Sequence, residues 1–151
     1  MLKIYSTYGI GIAIVLIAYF LILKLIGLHH YPVLSVVNAL FFGAGIYFAL
    51  KSYQSKVSEV KYEKGFEAGL FTGGIASIIF TVFMALYMYQ IDGVFATSIM
   101  ESWNMETQMG TAMIVVSVFI MGLVTTLILT FSLMQLFKKS WNAKNRNRNT
   151  L

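Results

Sequence analysis

Apolar positions in this chain do not alternate with polar ones; they run on. Four stretches, residues 7–26, 31–50, 65–91 and 111–137, are almost wholly apolar. Within them, residues 7–23, 33–50, 68–91 and 111–137 contain no Asp, Glu, Lys, Arg or His. A helix crosses the ~30 Å hydrocarbon core of a bilayer with about 20 such residues. These runs are too long for strands and lack a period of two. Backbone groups in lipid must be satisfied within their own segment, so each run is predicted to be a transmembrane helix. The third and fourth exceed the core and are expected to tilt or project beyond it. Lys24, near the end of the first, is accommodated by snorkelling.

The connections refine this picture. Residues 27–32 form a short turn, and Pro32 suits the first turn of a following helix, where its missing N–H costs nothing. The first two spans therefore pair as an antiparallel hairpin. Residues 51–64 mix Lys with Glu and read as helical extensions of the flanking spans. Beyond the third span, Phe95, Ala96, Ile99, Met100 and Trp103 form one apolar face over residues 94–103, which predicts an amphipathic helix in the outer interface, with its apolar face on lipid or folded over the bundle. Residues 142–151 are polar and basic and read as a disordered tail. The predicted fold is all-α: residues 1–141 form one integral membrane domain, a four-helix transmembrane bundle.

Charge gives that bundle an orientation. Every Lys and Arg except Lys24 falls on one side, in Lys3, the 51–64 loop and the segment from Lys138 onward. The positive-inside rule then makes both termini cytoplasmic. Tyr5, Tyr8, Tyr53, Tyr62 and Trp141 fall at one predicted boundary, and Tyr31, Tyr87, Tyr89 and Trp103 at the other, as an interfacial aromatic belt would. The basic face is expected to favour anionic lipid head groups. Topology accounts for the net charge of +5, so no nucleic-acid partner is expected. The chain is 58% hydrophobic and 11% charged, against about 25% charged in soluble domains, which excludes an ordinary soluble globule. With no Cys there is no disulfide, thiolate metal site or lipid-anchoring thiol. The first apolar run is longer than a signal-peptide core and lacks a small-x-small cleavage site, so it reads as an uncleaved span.

Few residues invite a functional role. Gly65, Gly69, Gly73, Ser77 and Thr81 recur every four positions on the third helix. Small residues at this spacing let two helix backbones approach closely, within one bundle or at an interface with a partner. Gly122, Thr126 and Thr130 form a weaker row on the fourth helix, and Gly45 and Ala49 on the second. Asn38 is the one amide well inside a span, with Ser77, Thr125 and Thr126 as candidate hydrogen-bond partners. Glu67, where the third helix enters the membrane, reads as an interfacial carboxylate beside Lys64 and close to the positive end of the helix dipole, with an ion-handling role as the rival. His29 and His30 lie in a turn without a metal-ligand spacing, so no metal, cofactor or catalytic residue is expected. Hydroxyls at depth have no base to activate them, which disfavours an enzyme.

The segment YEKGFEAGLFTGGIASIIFTVFMALYMYQID, residues 62–92, and the closing LMQLFKKS of the fourth span resemble a bacterial family of small four-span inner-membrane proteins catalogued only as a domain of unknown function. The resemblance implies the same topology and the bacterial cytoplasmic membrane, and it brings no catalytic or ligand residues. The expected function is an accessory, scaffold or assembly subunit with a membrane-protein partner or a homo-oligomeric state; the alternative is a small homo-oligomeric transporter or channel. Transporters of this size that couple to protons carry a Glu in the middle of the first span, where this chain has Ile, Ala, Val and Leu.

Overall fold

The computed structural model describes residues 2–28, 32–58, 61–102, 104 and 107–149, excluding the side chains of 32, 35, 107–108, 139–145 and 147–149. The expectations for His29, His30, Tyr31 and Trp103, and for the Trp141 side chain, fall outside the described residues. Helix α1 covers Leu2–Leu25. A 3-10 turn, Pro32–Ser35, leads into α2, Val36–Lys56. Helix α3, Tyr62–Leu86, ends in a π-helical turn, Tyr87–Ile91. Helix α4 is Gly93–Ser102 and α5 is Thr107–Asn149. Four segments, Leu2–Leu25, Val36–Lys56, Tyr62–Ile91 and Met109–Lys138, are long and apolar enough to cross a membrane. Among the described residues there is no strand.

Helices α2 and α3 form the shared middle of the bundle, with α1 on one flank and α5 on the other. One end gathers Lys3, Lys51, Lys56, Lys61, Lys64 and Lys138, and is the basic end. The opposite end carries Lys24, Asp92 and Glu101. Gly27 adopts φ +73° where α1 stops, a left-handed conformation that glycine enters without steric cost. The interior falls into two clusters. Tyr5, Leu16, Phe42, Ile46, Leu50, Tyr53 and Met134 fill the larger one towards the basic end. Met84, Met88, Ala96, Met100 and Ile114 fill the other, at the far end.

Three details depart from expectation or decide between alternatives it left open. The aromatic belt is only partial. Tyr62 and Tyr89 are exposed, whereas Tyr5 and Tyr53 are buried in the larger apolar cluster and Tyr87 is buried against Phe20, Phe83 and Phe95. Helix α4 packs on protein: Ala96 and Met100 are buried, and Met100 lies against Gly110 of α5. Its apolar stripe joins a cluster with Phe20 of α1, Phe83 and Met84 of α3 and Ile114 and Val118 of α5, which supply the same kind of surface as lipid. Finally, α5 continues to Asn149 through the segment expected to be irregular. Extending an existing helix avoids the nucleation cost, and basic residues near its C-terminus favour the helix dipole. At 1.5 Å per residue, its 43 residues span about 64 Å, so α5 projects well past the bundle at the basic end.

Candidate functional site

The row on α3 meets a complementary row on α5. Gly69 faces Thr130, Gly73 faces Thr126, and Ser77 faces Gly122. Each step of four along α3 is answered by a step of four back along α5, as antiparallel i, i+4 ridges require. Gly65 is buried at the start of the row. Thr81, at its far end, is partly buried, with no hydrogen-bond partner for Oγ1 among the described residues. Lipid tails are as apolar as leucine, so close packing rather than burial from water holds such helices together. A second seam joins α1 to α3. A Cβ on Gly9 would sit 2.7 Å from the Thr72 carbonyl oxygen. On the α1–α2 side, Gly45 lies against Ile12. The sequence reading missed Gly9, although Gly9 and Ala13, four apart and both buried, carried the signal.

Asn38 does not bond to the partners expected of it. The Ser77 hydroxyl donates to the Gly73 carbonyl at 2.8 Å, and the Thr126 hydroxyl to the Gly122 carbonyl at 2.8 Å. Both donors are spent within their own helices. Asn38 Oδ1 is buried without a partner among the described residues. Asn38, Ser77 and Thr125 instead share a groove of about 490 Å³ between α2, α3 and α5, walled by Leu16, Phe42, Phe80 and Met121. Ser77 and Thr125 lie near the middle of their spans, and Asn38 in the first turn of α2.

Glu67 is paired with Lys64. The ammonium donates to Oε2 at 2.8 Å and to Oε1 at 3.0 Å, and both side chains are half exposed. An exposed pair one helical turn apart contributes little to stability. Glu67 and Lys64 line a cleft together with Tyr5, Tyr53 and Lys61.

The opposite end holds a latch that charge counting did not reveal. Lys24 at the end of α1 donates to Asp92 Oδ2 at 2.8 Å. Asp92 follows the π-turn, whose widened ring closes with the Asp92 N–H on the Tyr87 carbonyl at 2.9 Å. Its Oδ1 accepts the Phe95 N–H at 2.9 Å, capping α4. The Tyr87 hydroxyl reaches Oδ2 at 3.5 Å. The Lys24 ammonium also lies 4.9 Å above the Phe95 ring. Phe20, Phe83, Tyr87 and Phe95 pack edge-on or tilted around this node. One carboxylate thus ties α1, the end of α3 and α4 together.

The hydrogen bond from Lys24, then that from the Phe95 backbone, hold the Asp92 carboxyl below its ordinary value of 3.8. A depressed folded-state value means the latch stabilises the fold above the ordinary carboxylate range and is lost as pH falls through the lowered value. Hydrogen exchange of the α4 amides is therefore expected to be flat from neutral pH down to about 4, once corrected for intrinsic rates, and to accelerate only below that. Asp92→Asn, which keeps a capping oxygen but loses the charge, accelerates it severalfold at neutral pH. Asp92→Ala does so further. Lys24→Gln matches Asp92→Asn, and the double variant adds nothing more. Unchanged protection in Asp92→Ala rules out the latch.

The class of protein these features define is a small all-helical membrane protein with four spanning helices. Among the described residues no group of His, Cys, Asp and Glu could hold a metal ion. The chain belongs to the family described as protein of unknown function (DUF4199), whose model matches residues 7–139. No curated protein and no solved structure matches it.

Proposed function

We propose that this chain is an accessory, scaffold or assembly subunit of a membrane complex, without catalytic chemistry of its own. We place it in the bacterial inner membrane with both termini cytoplasmic and the basic end against anionic head groups. Nucleic acid is not among its partners. The observation that carries the reading is the absence of any Asp, Glu, Lys, Arg or His in residues 7–23, 33–50, 68–91 and 111–137. Catalysis or ion coupling at depth calls for such a group. The positive-inside rule supports the orientation, and the projecting basic end of α5 offers a partner a handle outside the bilayer. The groove beside Asn38 favours a second reading, a small homo-oligomeric transporter or channel, because it brings an amide and two hydroxyls together between spanning helices.

Purification of the tagged chain in mild detergent at native expression, with mass determination of the intact complex, separates the two. Stoichiometric recovery of a larger membrane protein is the expected outcome. A homo-oligomer alone, together with solute flux in liposomes, would replace the accessory role with transport.

A further inference from the structure

We propose that the cleft between the start of α1 and the end of α2 binds the phosphodiester headgroup of an anionic phospholipid. This deepens the expected affinity for anionic lipid and rests on the membrane-spanning reading. The cleft, about 330 Å³, is lined by Lys3, Ile4, Thr7 and Tyr8 of α1 and by Ser52 and Lys56 of α2. Two lysines from different helices therefore line one space. The other lysines of known pairing differ from them: Lys24 holds Asp92 and Lys64 holds Glu67, whereas neither Lys3 nor Lys56 forms an ion pair among the described residues. Two like charges sharing a cleft repel, and an anion between them reverses the sign of the interaction. Tyr8 and Ser52 add hydroxyl donors. The Thr7 hydroxyl is spent on the Lys3 carbonyl at 2.8 Å, which fixes the turn carrying Lys3.

What lies beneath the cleft selects a lipid over a free phosphate. The cleft sits within two turns of the helix ends at the basic end, the depth of head groups. Below it, the helical rows continue from Tyr8 to Gly11 and Val15 on α1, and from Ser52 to Phe48 on α2. Gly11 borders open space, Val15 is 44% exposed and Phe48 54% exposed. Acyl chains hanging from a bound phosphate would lie along this apolar track. Basic pockets between transmembrane helices are recurrent anionic headgroup sites.

The test is native mass spectrometry of the full chain in mild detergent, titrated with equal phosphatidylglycerol and phosphatidylcholine. Adducts of phosphatidylglycerol are expected to exceed those of phosphatidylcholine by about tenfold, the effect of one to two lysines at the surface. Lys3→Gln/Lys56→Gln brings the ratio near one. Lys64→Gln/Lys138→Gln, an equal loss of charge outside the cleft, keeps it. Circular dichroism verifies that both variants remain helical. An even ratio in the wild type, or equal losses in the two double variants, overturns the site. Displacement of the lipid by millimolar inorganic phosphate overturns the lipid as its occupant. Carbonate extraction distinguishes the underlying reading: a chain released from membranes fails both, whereas a retained chain without lipid preference fails the site alone.

Discussion

Gly9→Ala is expected to lower the thermal midpoint of the detergent-solubilised protein by ~5–10 °C, corresponding to about 2–3 kcal/mol. Gly11→Ala, two residues on, is expected to leave it unchanged or raise it slightly. Both glycines lie in the interior of α1, where alanine is intrinsically the better helix former by up to ~1 kcal/mol. Packing alone separates them. A Cβ at Gly9 would lie 2.7 Å from the Thr72 carbonyl oxygen and 2.9 Å from Ile75 Cβ. One is backbone and the other a branch point, so neither can swing aside, and α1 must move off α3. A Cβ at Gly11 meets nothing within 4 Å. Melting followed by circular dichroism decides the matter, and equal midpoints for the two variants would remove the close α1–α3 approach.

Much of this fold is legible in the sequence because a bilayer imposes few solutions. Apolar length gives the spans, and the four-residue spacing of small side chains gives the surfaces of closest approach. Which surface meets which is harder to read. Gly73 is suited to contact any helix carrying a small or β-branched row, and nothing local assigns it to Thr126 on α5. The apolar stripe of α4 is equally indifferent: Phe95, Ala96, Ile99 and Met100 suit lipid or protein, and only the third dimension puts Met100 on Gly110. The tyrosines show the same ambiguity, since Tyr5 and Tyr89 each fall near a predicted boundary, yet one is buried and the other exposed. The Lys24–Asp92 pair was visible only as two isolated charges at the polar margin of their spans. Its meaning depends on α1 and the end of α3 running parallel, which the local pattern does not encode.

The α3–α5 seam obeys a simple rule, one glycine in each facing pair, and the rule predicts its own reversal. At Gly69/Thr130 and Gly73/Thr126 the glycine is on α3; at Ser77/Gly122 it is on α5. Gly73→Ser alone puts a Cβ into the space held by the Thr126 side chain, 2.9 Å from its Cβ and closer still to its γ atoms. Thr126 is fully buried and its hydroxyl is tied to the Gly122 carbonyl, so it has little room to yield. The expected loss is ~2–3 kcal/mol, at the upper end of overpacking costs. Combining it with Thr126→Gly exchanges the two roles and recreates the Ser77/Gly122 arrangement one turn away. The double variant is expected to recover most of that loss, with a coupling energy of at least ~1 kcal/mol in a double-mutant cycle. Gly74→Ser is the control, since Gly74 borders open space and its substitution is expected to be neutral. Simple additivity in the cycle would mean that Gly73 and Thr126 do not meet. Recovery would establish the pairing, leaving the lipid-exposed face of α5 and its projecting basic end as the surfaces with which a partner could engage.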